Sequence, residues 1–366
     1  MLKLAGTAFS AALAAALVLA PGASSAKELV ISAALSKPHI WVGSHMDPFA
    51  DAIEKETDIT FTRYYAGELV SLGRELDGLQ SGTIDVSAPM LAPYHEGMFP
   101  LSDISQLPTF NTNSASVTRA FQKLLDSDVE LKDGKTFYEY ELGSKGLRAW
   151  ALGASGPYAL STTGKEITSP ADLKGMPMRA GSALHTMAVQ QLGATPVTLP
   201  SAQAYEALSR GTINGMVSSI GDWKSYSFQE ILKYTITGMS IGNWESYLAM
   251  TDATWKSLTD KEREIWDRIA RETADRNAAG IDQQDIDVQK ASEAAGGKFV
   301  DIKSLPQEMQ DHMTKATSNT WIQWIEQTEK AGHPAKAAAK LWAQLILDEG
   351  GALPQGAAQY LDIKQK

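Results

Sequence analysis

Asp172-Leu-Lys-Gly-Met-Pro-Met-Arg-Ala-Gly-Ser182 is followed by Gly193-Ala-Thr-Pro-Val-Thr-Leu-Pro200 and by Tyr205-Glu-Ala-Leu-Ser-Arg-Gly-Thr-Ile-Asn-Gly215. Short apolar runs alternate here with helix-compatible stretches, which reads as strand, helix, strand, helix, strand. Such alternation belongs to α/β folds, in which crossover helices join parallel strands. Arg179 closes the first run, just before Gly181, and so stands at a strand tip at one mouth of the unit. Its five N–H donors form a planar fork that fits a carboxylate, and its charge is permanent. Most arginines are solvated or structural, so position alone does not make this one functional.

The same alternation extends outward in both directions. Residues 28–34 form an apolar run suited to a buried strand. A helix over about residues 47–57 puts Phe49, Ala52 and Ile53 on one face. Residues 59–65 read as a strand, 72–80 as a helix and 83–88 as a third strand. Downstream, residues 147–152 and 156–161 are strands broken at Gly153, 223–233 a helix and 247–250 a strand. Thr259 with Glu262 forms a capping box, and the helical pattern then runs to about Ala295 without a proline, long enough to brace two domains. Residues 306–348 are helical, with Trp321, Trp324 and Trp342 on apolar faces. The stretch beyond about Ala335 reads as a packing helix or a partner contact.

The N-terminus stands apart from this pattern. Lys3, an Ala/Leu/Val run to Ala20, Pro21, Gly22 and Ser24-Ser-Ala26 read as a secretory signal cleaved after Ala26. A membrane anchor needs roughly 20 strongly apolar residues, more than this alanine-heavy run offers. The expectation is an exported protein, free in the periplasm. The chain has no cysteine, which removes disulfides, thiolate metal sites and cysteine nucleophiles together.

With 33 Lys and Arg against 43 Asp and Glu, the net charge is −10, which argues against nucleic acid and anionic lipid as partners. An anionic ligand must then be held by local positive groups, which raises the value of an arginine in a pocket. A length of 366 residues favours two domains over one. The histidines (His39, His45, His95, His185, His312, His333) show no metal-ligand spacing, and no cofactor motif occurs. Nucleophile-elbow, P-loop and zinc-protease motifs are also missing, so an enzyme is disfavoured.

Several of these stretches, taken in order, resemble the DctP-type family of extracytoplasmic solute-binding subunits of TRAP transporters. They are Tyr65-Ala-Gly-Glu-Leu69, Leu79-Gln-Ser-Gly-Thr-Ile-Asp85, the Asp172 to Arg179 stretch, Leu192-Gly-Ala-Thr-Pro196, the Tyr205 to Gly215 stretch and Trp255-Lys-Ser-Leu-Thr-Asp-Lys-Glu-Arg-Glu264. Each motif is weak alone; their order over residues 29–302 carries the resemblance. It implies an α/β, two-lobe periplasmic binding protein-like fold with mixed sheets, hinge strands and a long helix spanning both lobes. Lobe I would comprise residues 27–156 plus 245–284, and lobe II residues 157–244 plus 285–366. The lobes would close on a small organic carboxylate and deliver it to a TRAP membrane permease.

The resemblance also implies that Arg179 pairs with the ligand carboxylate. Sialic-acid-binding members carry a second pocket arginine where this chain has Ala159, or Tyr158 if the register slips by one. Their Glu-Asn pair corresponds to about Val217-Ser218, and their glutamate after the third strand falls near Met90. A sugar acid would bury hydroxyls unpaired there, at about 1–3 kcal/mol each, so a less hydroxylated carboxylate is expected.

Ser182 reads both as a helix N-cap and as a polar contact beside an anion-friendly helix end. Ser218 is a second polar candidate. Trp41, Tyr94, Tyr158 and Trp223 are candidate walls, since binding clefts use aromatics as apolar floors and strand C-terminal ends face such clefts. Trp244 is a weaker candidate near the last hinge strand, and Trp255 and Trp266 read as packing. Two alternatives remain open: an ectoine-like compatible-solute binder, whose aromatic walls hold a cationic ring, and a ligand-presenting chemosensory co-receptor.

Overall fold

A computed structural model describes residues 27–365; the expected signal segment lies outside the described residues. Two mixed sheets organise the chain. The first has strand order β2-β1-β3-β10-β4, formed by β1 (Lys27–Ser32), β2 (Ile59–Tyr64), β3 (Val86–Met90), β4 (Leu147–Ala151) and, later in the chain, β10 (Tyr247–Thr251). Strand β1 lies parallel to β2 and β3, whereas β10 runs antiparallel to both β3 and β4.

The second sheet has order β11-β9-β5-β8-β6-β7. It contains β5 (Tyr158–Thr162), β6 (Pro177–Ala180), β7 (Thr195–Thr198), β8 (Gly215–Ser219), β9 (Tyr234–Thr237) and β11 (Lys298–Asp301). Strand β6 is parallel to β7 and β8, and β5 is antiparallel to β8 and β9. The expected strand–helix–strand–helix–strand unit around Arg179 is therefore β6 to β8. All residues of β3, β5 and β8 are buried, as central strands covered on both faces require.

Some elements differ from the sequence reading. The expected helix over 223–233 is a single turn, Trp223–Tyr226, because Ser227 adopts a left-handed backbone with φ 59°. A short 3-10 turn follows, and then β9, which the pattern does not announce. Within the unassigned residues 95–146 lies the helix Ser114–Leu125, started by a capping box between Asn113 and Ser116.

The long helix forms as its capping box predicts, over Asp260–Ala294. Thr259 Oγ1 accepts the Glu262 N–H at 3.2 Å, and Glu262 Oε2 accepts the Thr259 N–H at 2.7 Å. Thr259→Ala is expected to cost about 1 kcal/mol in urea denaturation, the usual effect of losing an exposed N-cap. Near its start Trp266 packs under the first sheet against Phe49 and Trp150, with ring centroids 4.9 and 6.2 Å away. Further along, Asp282 accepts the N–H groups of Ser114 and Ala115 at the head of a first-lobe helix, at 2.7 and 3.1 Å. Asp285 accepts the Gly221 N–H beyond β8 in the second lobe at 2.5 Å. One helix therefore holds both lobes.

Residues 152–157 and 238–246 run side by side between the sheets. Leu152 N–H bonds Ser246 O at 3.0 Å, Ser155 N–H bonds Trp244 O at 2.7 Å and Tyr158 N–H bonds Gly242 O at 2.9 Å. Buried Glu245 anchors this crossing by accepting the N–H groups of Leu152, Gly153 and Ser246 through one oxygen. Burial pushes its carboxyl up to about 8.

The helix Gln307–Lys330 packs on Ala183–Gln191 of the second lobe, whereas Ala335–Asp348 packs on Ser114–Leu125 of the first. The boundary expected from sequence gave all of 285–366 to lobe II. Apolar complementarity seats the end of the chain on the other lobe, where Trp342 meets Phe121 at 6.2 Å. Trp321 and Trp324 donate their indole N–H groups to Pro108 O and Asp103 Oδ1, so the C-terminal tryptophans are packing residues. Among the described residues, no helix is long and apolar enough to cross a membrane.

Candidate ligand-binding site

A cavity of about 540 Å³ opens between the two sheets. The second lobe contributes Tyr158, Arg179, Ser201, Asp222 and Tyr226, and the first contributes Ala34, His39, Trp41, Leu91 and Tyr94. Trp244 enters from the crossing segment. These residues lie at or just beyond the strand ends, where a chain leaving a buried strand can turn a side chain toward the gap.

Arg179 is the central feature. It occupies β6 with only 1% of its surface exposed. Nε donates to Leu199 O at 3.0 Å, Nη1 to Val217 O at 3.2 Å and Nη2 to Ser201 Oγ at 3.0 Å. All three acceptors are neutral, and no carboxylate among the described residues forms an ion pair with it. The guanidinium folds back along the chain past Gly181, where a Cβ would sit 2.7 Å from Nη2. Only glycine leaves that space open. A cation desolvated without a counter-charge is costly, and an incoming anion relieves that cost.

Aromatic rings surround the guanidinium. Tyr94 stacks on Trp244 with centroids 5.4 Å apart, and Tyr158 stacks on His185 at 4.5 Å. Trp41 is pinned by its indole N–H bond to Gly153 O at 2.8 Å and lies 5.3 Å from His39. His39 in turn meets Tyr226 of the opposite lobe at 5.9 Å. Burial lowers His39 to about 4, and burial with the Arg179 charge lowers His185 to about 3, so both rings are neutral. Burial raises Tyr94, Tyr158 and Tyr226, which keeps the phenols protonated. Arg179 and Asp222 are therefore the charged groups of the lining. Burial pushes Asp222 up to about 6, opposed by the neighbouring Ser219 hydroxyl and then by the Arg179 charge.

The structure brings Arg179, Tyr158, Trp41 and Tyr94 together in one cavity and places the other four sequence candidates elsewhere. Ser182 spends its hydroxyl within the fold, accepting the His185 N–H at 3.1 Å and donating to Gln106 Oε1. Ser218 accepts the Trp223 indole N–H at 3.3 Å. Trp223 is fully buried in the second-lobe core beside Ala159, Met216 and Phe299, because the single turn after β8 swings it inward. Met90 lies fully buried in the first-lobe core. Strand alternation explains the pair at the position of the second arginine: Ala159 points into the core, and Tyr158 faces the cleft.

Sequence reasoning missed His39, Ser201, Asp222 and Tyr226 and underrated Trp244. Asp222 immediately precedes Trp223, but no periodic pattern marks which of the two would face the ligand.

The family model described as DctP, bacterial extracellular solute-binding protein, family 7, matches residues 31–346. Among curated proteins, the chain is similar to a solute-binding protein of Albidiferax ferrireducens, 26% identical over 261 residues, which cover 69% of this chain and 73% of that one. It is also similar to the C4-dicarboxylate-binding periplasmic protein DctP of Rhodobacter capsulatus, 22% identical over 69% of this chain and 74% of that protein. Among solved structures, a marine metagenome TRAP solute-binding protein in complex with metahydroxyphenylacetate superposes with a TM-score of 0.75. It is 22% identical, covering 88% of this chain and 99% of that one. A TRAP solute-binding protein from Rhodoferax ferrireducens with copurified benzoate gives a TM-score of 0.74 at 21% identity, covering 88% of this chain and 98% of that one.

Proposed function

Because the chain belongs to the DctP family of bacterial extracellular solute-binding proteins, we propose that its cleft captures a small organic carboxylate with Arg179 as the anchor. The carrying observation is the guanidinium itself, buried and bonded only to neutral acceptors. A carboxylate arriving in this water-poor site gains charge-assisted hydrogen bonds, which are about twice as strong as neutral ones. The walls of Trp41, Tyr94, Tyr158 and Trp244 favour an apolar or planar body behind the carboxylate. Proteins of similar fold have been solved with 3-hydroxybenzoate and with mandelate, which fits that body.

Closure would bring lobe I (27–156 and 245–284) over lobe II (157–244 and 285–306), with 152–157 and 238–246 as the hinge and the helix Gln307–Lys330 touching both lobes. Both lobes line the cavity, so ligand favours the closed state by touching both at once. The activity is capture without turnover, in the periplasm after removal of the N-terminal signal. Delivery would go to a TRAP membrane permease.

A thermal-shift and calorimetry panel pairing each small carboxylic acid with its primary amide tests this reading. Acids are expected to raise the melting point and amides to leave it unchanged. At a hundredfold excess over Kd, stabilisation should reach about 2.7 kcal/mol. Equal shifts from amides, or none from any acid, would remove the carboxylate assignment.

A further inference from the structure

One cavity holds two opposite charges that form no direct ion pair. Arg179 is fixed by its bonds to Leu199, Ser201 and Val217. Asp222 lines the same space from the loop after β8. Among the described residues, no lysine or arginine nitrogen lies within the 4.0 Å ion-pair limit of its carboxylate. Building on the carboxylate reading above, we propose that the ligand is a zwitterion, whose carboxylate meets Arg179 and whose cationic centre meets Asp222 between aromatic faces.

A plain carboxylate answers only half of this arrangement. It neutralises Arg179 but brings a second negative charge into a cavity that already holds Asp222, where low polarity magnifies the repulsion. A ligand with both signs compensates both groups and leaves the closed cleft without net unpaired charge.

The surroundings of Asp222 suit a cation. Asp222 shares the cavity lining with Tyr158 and Tyr226. Tyr226 touches His39, which touches Trp41, at 5.9 and 5.3 Å, so these rings form a connected wall on that side of the cavity. Faces of Trp and Tyr attract cations most strongly where water is excluded. His39 is neutral and contributes no competing charge. At pH 7.5 Asp222 is ionised, since its value is about 6.

Matched isosteres provide the test. Calorimetry at pH 7.5 compares trimethylammonioacetate with 3,3-dimethylbutanoate, and N-methylpyridinium-3-carboxylate with 3-methylbenzoate. Within each pair, shape and carboxylate are alike and only the cationic centre differs. The cationic member of at least one pair is expected to bind at least tenfold more tightly. Asp222→Asn should bring that pair to within about threefold, by weakening the zwitterion and improving the plain carboxylate. Wild-type protein that shows no cationic preference in either pair would overturn the proposal, as would a preference unchanged by Asp222→Asn. If the plain carboxylates bind as tightly as their cationic partners and their amides do not bind, the zwitterion fails while the carboxylate reading stands. If amides bind as well as acids, the carboxylate reading itself fails.

Discussion

Arg179→Ala is expected to weaken carboxylate binding by about a thousandfold, to below detection in calorimetry for ligands of micromolar affinity. Each hydrogen bond from a charged donor contributes about 1.5–3 kcal/mol, and a guanidinium can offer a carboxylate more than one. Loss of about 4 kcal/mol corresponds to that factor, at 1.4 kcal/mol per tenfold. Arg179→Lys should recover only part of it, since an ammonium is a point donor that cannot reproduce the fork. Folding should survive the change at a cost, because the alanine variant removes a buried cation but leaves Leu199 O and Val217 O without their donor and Asp222 without the opposite charge nearby. A lowered but still cooperative melting transition together with abolished binding is the expected pair of results. Affinity within threefold of wild type would show that the anion is held elsewhere.

Gly242→Ala is expected to cost about 3 kcal/mol or more in chemical denaturation, and it acts on the hinge rather than on the pocket. Gly242 has φ 91°, outside the regions that L residues favour, and a Cβ would land on the backbone carbonyl of Gln106. Left-handed backbone alone costs about 1–2 kcal/mol for a residue with a side chain. The clash adds to it, since backbone on both sides must move. Those shifts would break the bonds from Tyr158 N–H to Gly242 O and from Asn243 N–H to Ser105 O, both made at 2.9 Å. A loss below about 1 kcal/mol would mean that the crossing segment relaxes freely, which would contradict its reading as a tightly built hinge.

How far the sequence could be read depended on the range of the signal. Capping residues and helical period are local, so the helix Asp260–Ala294 was readable to within a residue at its start. The β6–β8 unit and the strand-tip position of Arg179 follow from patterns a few residues long. Side-chain direction near strand ends is another matter. Met90 and Ser218 sit in fully buried strands, and Trp223 turns inward through a one-turn helix that ends at a left-handed serine. No local rule distinguishes those outcomes from facing the ligand.

The aromatic and acidic side of the cleft was least legible, because it is assembled across the gap. His39 and Tyr226 are neighbours only through the packing of two lobes, and Asp222 gains meaning only once Arg179 stands in the same cavity. Strands β9 and β11 were hidden for a similar reason. They are short, and they pair with each other across a long stretch of chain.

Asp282 and Asp285 grip opposite lobes from points three residues apart on one helix, about 4.5 Å along its axis. Mechanically, that is an axle with its two bearings almost touching. Rotation about such a point displaces the bearings very little, while the rim of each lobe, a long radius away, sweeps a wide arc. Both carboxylates can thus keep their backbone partners through an opening stroke large enough to admit a solute. The 35-residue helix then serves as a pivot beside the crossing segments.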